Sequence, residues 1–176
     1  AEEGSRLAGQ IRDGTEQLPD DESQLRAIHA AEHWLQENDF MRYEISNYAK
    51  QGMACAHNVS CWRGENYIGL GPAASSRMGL RRWTNRPDLA AWMQALKKGQ
   101  QPPAELDPLT PEMDCTERLV FGLRMAEGVR TETASGRQPT LLALQRQGLV
   151  QLRGGKWLLT AKGRDFADLV ALELMP

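Results

Sequence analysis

A chain of 176 residues with 21 basic and 23 acidic side chains, formal net charge −2, can bury one substantial core or two small ones. It carries no strong electrostatic drive toward nucleic acid or anionic lipid. Cysteines at 55, 61 and 115 are an odd set unlike a secreted disulfide framework, and no apolar run approaches a membrane span or signal peptide, which places the chain in a reducing cytoplasm.

The first Ala1 and Glu2, in place of Met, are compatible with a piece of a longer protein. The stretch LPDDESQLRAIHAAEHWLQENDF predicts a helix over Asp21 to Glu37, entered through Pro19 and Asp20, with Leu25, Ile28, Ala31 and Leu35 on one face. MRYEISNYA then predicts a strand that turns Tyr43 and Ile45 inward and Arg42, Glu44 and Ser46 outward, so helix followed by strand matches the closing half of an α/β repeat. YIGLGPAASSRMG predicts another strand, broken by Gly69, Gly71 and Pro72 into a loop where backbone can approach a ligand closely. A helix capped at Thr84 or Asn85 follows, with Leu89, Trp92, Met93 and Leu96 on one face and Gly99 as its stop.

Pro102, Pro103 and Pro108 interrupt a segment without periodicity, which is expected to be a linker. Beyond it, Thr110 caps a helix with Pro111 in its first turn and Leu119, Val120 and Leu123 as its buried stripe. A shorter helix from Thr140 to Gln147 ends at Gly148. LVQLRGGKWLLT reads as a hairpin turned at Gly154 and Gly155, and Thr160 caps a last helix with Phe166, Leu169 and Val170 inward. This order is the layout of a winged helix. A nucleic-acid-binding winged helix would need a basic recognition helix, yet the helix from Thr140 offers only Gln145 and Arg146, and Glu127, Glu132, Asp165 and Asp168 offset the nearby cations. A structural or protein-contacting role is therefore expected, with no nucleic acid.

His29, Glu32 and His33 spell H-A-A-E-H, the order of an inverted zinc-protease motif. A catalytic zinc also needs a third protein ligand and a cleft, so a solvated helix face is the expectation and no metal site is assigned. Cys55, His57 and Cys61 have metal-binding chemistry at an uncommon spacing, and Cys115 lies across the proline-rich segment, too remote to complete a cluster. An imidazole, a thiol and the Trp62 indole beside a glycine loop have the means to grip a flat tetrapyrrole through an iron ligand, ring stacking and bare backbone. A lone histidine is also commonly structural, and these residues alone leave both readings open.

YEISNYAKQG, HNVSCWRGENYIGLGPAASSR and RRWTN, with LPDDESQ upstream and GLVQLRGGKWLLTAKGR downstream, resemble the oxygen-independent coproporphyrinogen III oxidase-like family, specifically its heme-chaperone branch among the radical S-adenosylmethionine proteins. The resemblance covers nearly the whole chain. The branch signature H-N-x-x-Y-W falls on His57, Asn58 and Trp62, with Cys61 at the tyrosine position. A thiol there removes a hydrogen-bonding ring and adds a potential iron ligand. Where the family reads G-L-G-P-G-A-H-S, this chain has Ala73 and Ser75.

The resemblance implies heme-binding residues His57, Asn58, Cys61 and Trp62, with His57 the iron ligand and Cys61 a second donor, and a ligand loop at Gly69 and Gly71. It implies an α/β plus α+β fold: the end of an incomplete (β/α) barrel over 1–101, a linker over 102–109 and a winged-helix-like domain over 110–176. The family's C-x₃-C-x₂-C, which binds a [4Fe–4S] cluster and S-adenosylmethionine, is absent from this chain. The chain by itself is accordingly expected to have no catalytic residues. It would act as the heme-binding C-terminal portion of a heme chaperone, partnered by heme, a heme-acceptor protein and the N-terminal half. The alternative is a fragment of a coproporphyrinogen III oxidase of porphyrin biosynthesis.

Overall fold

The structure, a computed structural model, describes residues 2–134 and 136–175. The chain divides into two units, 1–40 and 41–176. In the first, α1 (Arg6–Arg12) is capped by Ser5, whose hydroxyl accepts the Ala8 N–H at 3.1 Å, and α2 (Asp21–Glu37) by Asp20, whose carboxylate accepts the Ser23 N–H at 2.6 Å. The backbone and side-chain hydrogen bonds from Ser23 hold the Asp20 carboxyl below its ordinary value. Helix α2 has the expected bounds, but no residue on it is buried and Ile28 is 53% exposed.

The second unit opens with a hairpin where one strand was expected: β1 (Met41–Glu44) pairs antiparallel with β2 (Asn47–Ala49). A two-residue connection reverses the chain at Ile45 and Ser46, and the register shifts between Arg42 and Glu44. The inward residue is Glu44, not its neighbours: its carboxylate is fully buried while Tyr43 and Ile45 are half-buried. Helix α3 (Ala56–Trp62) follows and stops at Gly64, which adopts a positive φ of 66°.

Residues 67–72 do not form the expected strand. Tyr67 makes an isolated bridge to Arg77, and the strand lies later, as β3 (Ser75–Met78). It pairs with β4 (Arg81–Asn85), so Thr84 and Asn85 belong to a strand and the next helix, α4 (Leu89–Lys97), is capped by Asp88 instead. Pro87 explains the displacement, since the residue before a proline is pushed out of helical conformation. Gly99 ends the helix region with φ 65° as expected.

The segment 102–109 is no free linker. Ala104–Leu106 forms β5 against β4, Pro103 O accepts the Arg86 N–H at 2.9 Å, and Leu109 is buried. The prolines sit just outside the paired residues, where a missing N–H costs no ladder bond. All sheet pairings among the described residues are antiparallel and most are closed by short turns, so the parallel pairing of a (β/α) barrel does not occur within 41–106.

The remaining elements carry the core. Helix α5 (Pro111–Arg124) is capped by Thr110, and β6 (Val129–Arg130), a 3₁₀ turn (Thr131–Ala134), α6 (Gln138–Arg146), β7 (Val150–Arg153), β8 (Lys156–Leu159), α7 (Ala161–Asp165) and α8 (Ala167–Leu174) follow. The sheet order is β6-β8-β7, and the Gly154–Gly155 turn takes the positive φ values, 58° and 73°, of a tight two-residue hairpin. Leu119, Leu141, Leu144 and Leu174 are fully or almost fully buried, each contributing about 1.5–3 kcal/mol by burial. Among the described residues, the buried apolar side chains outside the cluster that these elements form between Leu119 and Leu174 are Ala95, Leu109 and Met125. The last helical region is broken at Phe166, which with Leu169 is exposed rather than inward; Val170 is buried as expected.

Candidate functional site

Helix α3 carries all four residues of the histidine-tryptophan stretch, and its periodicity sorts them onto two faces. His57 and Cys61, one turn apart, share one face, with the His57 Nε2 3.8 Å from the Cys61 Sγ. His57 is exposed and Cys61 half-buried. Asn58 and Trp62 share the other face and hold the helix in place. The Asn58 amide donates to Asn47 Oδ1 at 3.4 Å, and the Trp62 ring meets Phe121 edge-on, 5.8 Å between centroids and 69° between planes. The Arg124 guanidinium lies 4.5 Å from the Trp62 centroid, a cation–π contact.

Both anchors lead to Glu44. Its Oε1 accepts from Arg124 Nε at 2.9 Å and Nη2 at 2.7 Å, while Oε2 accepts the Ser46 N–H at 2.9 Å and the Asn47 amide at 2.7 Å. Burial alone pushes the Glu44 carboxyl up; the bonds from Ser46, Asn47 and Arg124, with the Arg124 charge, outweigh it and hold the group below its ordinary value. One buried carboxylate thus positions Asn47 beneath Asn58 and Arg124 over Trp62. Trp62 also borders an apolar cavity of about 310 Å³ with Phe121, Val170 and Leu174.

The glycine loop lies elsewhere. Gly69 and Gly71 line an open groove of about 600 Å³ with Arg81, Trp83, Trp92 and Leu96, and none of the four α3 candidates lines it. Gly69 is required by packing, because a Cβ there would stand 2.2 Å from Ser75 O. Gly71, at φ 110°, has open space where a side chain would be and its carbonyl accepts the Asn85 amide at 2.8 Å. Ala73 occupies the left-handed region at φ 59°. This is the position where the family resemblance has glycine, which alone adopts that conformation without Cβ strain.

The sheet beneath this groove is clamped to α5 by charge. Arg77, 3% exposed, pairs with Asp114 and lies 3.6 Å from Glu117, while Arg82 bridges Glu117 at 2.8 Å and Asp107 at 2.7 Å. Burial opposes the Arg82 charge, but its bonds to Glu117 and Asp107 prevail and raise its pKa further. Glu44, Arg124, Arg77 and Glu117 were invisible to sequence reasoning because their partners lie far along the chain.

The other metal motifs remain incomplete. On α2, His33 Nε2 pairs with Glu37 Oε1 at 3.3 Å and Glu32 accepts from the Gln36 amide at 3.2 Å. Cys115 donates weakly to Thr133 O at 3.6 Å. Among the described residues no three His, Cys, Asp or Glu side chains are grouped to hold a metal.

The fold defines a class first. Over 89% of its length this mixed α/β chain matches the radical SAM enzyme coproporphyrinogen III oxidase (HemN) from Escherichia coli, with a TM-score of 0.68, 15% identity and 42% of that chain covered. Sequence relatives then narrow it. A heme chaperone HemW of Mycobacterium tuberculosis is 28% identical over 175 residues, 99% of this chain and 45% of the relative. A mitochondrial radical S-adenosyl methionine domain-containing protein of Danio rerio is 30% identical over 172 residues, 90% of this chain and 38% of its own length. The heme chaperone HemW of Bacillus subtilis is 26% identical over 163 residues. No family model matches. The chain is a homologue of the C-terminal part of these heme chaperones and radical SAM domain proteins, and it spans less than half the length of the curated relatives it matches.

Proposed function

We propose that this chain is the heme-binding C-terminal portion of a heme chaperone, with His57 on α3 as the iron ligand, Cys61 as a nearby alternative donor, and Asn58 and Trp62 shaping the site. The observation that carries the reading is the exposed His57 imidazole on a helix fixed by Asn58 and Trp62, within a chain whose relatives are named heme chaperones. Gly69 and Gly71 would contribute through the separate tryptophan-lined groove, whose bare backbone at Gly71 admits close approach.

In this reading the remainder of the longer protein supplies the C-x₃-C-x₂-C cluster cysteines and the S-adenosylmethionine site, and loaded heme passes to an acceptor hemoprotein in the cytoplasm. No described helix is long and apolar enough to cross a membrane. Residues 1–101 are read as the end of the barrel half, lying beyond its parallel strands because the pairings within 41–106 are antiparallel, with the fold match in support, and 110–176 as a winged-helix-like domain, supported by its helix, strand, helix and hairpin order and its β6-β8-β7 sheet. That domain makes contact with protein rather than with nucleic acid. The fold match to HemN keeps an oxidase as the second reading: coproporphyrinogen decarboxylation by the cluster-loaded longer protein would favour it. Titration of heme into the chain and into His57→Ala tests the first; weaker binding in the variant is expected, and identical Soret changes in both would remove His57 as ligand.

A further inference from the structure

The His57–Cys61 pair has a geometry that heme does not use. We propose that in the heme-free chain these two side chains chelate a bare divalent cation of the zinc class, in place of heme rather than beside it. Zinc bonds to nitrogen at about 2.0–2.1 Å and to sulfur at about 2.3 Å, so tetrahedral donors stand about 3.6 Å apart. The observed separation of 3.8 Å corresponds to an N–metal–S angle of about 120°, reached without moving the helix.

Heme iron, in contrast, takes its protein ligands along the ring normal, one from each face. Two side chains rising from successive turns of one helix face leave no slot for a porphyrin between them, so heme can use one of the donors and a bare ion can use both. Thiolate with imidazole selects zinc, cobalt or copper over magnesium or calcium. The cysteine is free, and its partial exposure lets a hydrated ion reach it without burying charge. Binding converts Cys–SH and M²⁺ into Cys–S⁻–M²⁺ with release of one proton to solvent.

The adjacent face of α3 adds to this. Trp62 against Phe121 and Asn58 against Asn47 fix the helix before any ion arrives, which lowers the ordering cost of bringing the donors together. Among the described residues no third metal-binding side chain joins the pair, so the remaining coordination positions belong to water or to a donor from another molecule. The site is thus open, with two protein donors where a catalytic zinc site has three.

Cobalt(II) added to the heme-free, reduced chain tests the proposal. The expected result is a near-ultraviolet thiolate-to-cobalt charge-transfer band that saturates at one ion per chain and is displaced by zinc. Cys61→Ser should abolish the band, His57→Ala should weaken binding by about tenfold or more, and Cys55→Ser and Cys115→Ser should leave both unchanged. Far-ultraviolet circular dichroism confirms that the variants are folded. No band in the wild type, a band surviving Cys61→Ser, or unaltered affinity in His57→Ala would overturn it. Heme titration of the same samples keeps the two readings separate: heme binding without cobalt binding defeats the chelate alone, and the reverse defeats the heme ligand alone.

Discussion

Replacing Glu44 by glutamine preserves the side-chain shape and removes its charge. Each carboxylate oxygen now accepts two bonds: Oε1 from Arg124 at 2.9 and 2.7 Å, Oε2 from Ser46 and Asn47 at 2.9 and 2.7 Å. Whichever way the amide is turned, its NH₂ faces two donors, and Arg124 loses its counter-charge. Unsatisfied buried groups cost about 1–3 kcal/mol each, and breaking a buried ion pair costs about 3–5 kcal/mol, so we expect a loss of about 3–5 kcal/mol. With a urea dependence of about 2 kcal/mol/M, the unfolding midpoint by circular dichroism should fall by about 1.5–2.5 M. Arg124→Met should cost a comparable amount, and the double variant clearly less than the sum, because both singles break the same pair.

The pH dependence has a definite sign. A carboxyl held below its ordinary value of 4.5 in the folded chain binds protons less readily there than when unfolded. Its contribution is therefore complete above pH 4.5 and is lost as the pH falls through the lower folded value. Wild-type stability should show this loss and Glu44→Gln should lack that part of it. A midpoint within about 0.3 M of wild type, or additive single variants, would refute the positioning role of Glu44.

Two further substitutions probe the backbone. Ala73→Gly relieves a positive φ of 59° and should stabilise the chain by about 1 kcal/mol; a lower melting temperature would contradict the strain. Gly163→Ala places a Cβ 1.8 Å from Leu149 O and should cost about 3 kcal/mol, with unchanged denaturant stability disproving the close approach of α7 to the start of β7.

Features set by local chemistry were legible in the sequence. The Asp20 and Thr110 caps, Pro111 at the head of α5, the Gly154–Gly155 turn and the Thr160 cap each act through a few neighbouring atoms, and the elements they delimit lie where those residues indicate. Competition between equally good local signals was harder to read: Asn85 and Asp88 both suit a helix cap, and pairing of β4 with β3 and β5 decided for Asp88. Long-range partners left no trace. Glu44 looked solvent-facing by its polarity, and its counter-charge, Arg124, lies 80 positions away. For the candidate site, the residue types on α3 were legible but not their division into an anchoring face and a donor face, which depends on Asn47, Phe121 and Arg124 arriving from other elements. Likewise Gly69 reads as a ligand-loop glycine by sequence, while the approach of Ser75 O shows a packing requirement.

The heme-ligand claim is tested most directly by chemical rescue at His57. Heme should co-elute with the wild-type chain on gel filtration and fail to co-elute with a folded His57→Gly variant. Free imidazole, filling the vacated position, should restore co-elution and the wild-type Soret band. Equal heme retention by wild type and variant in the absence of imidazole would contradict the assignment of His57 as the iron ligand.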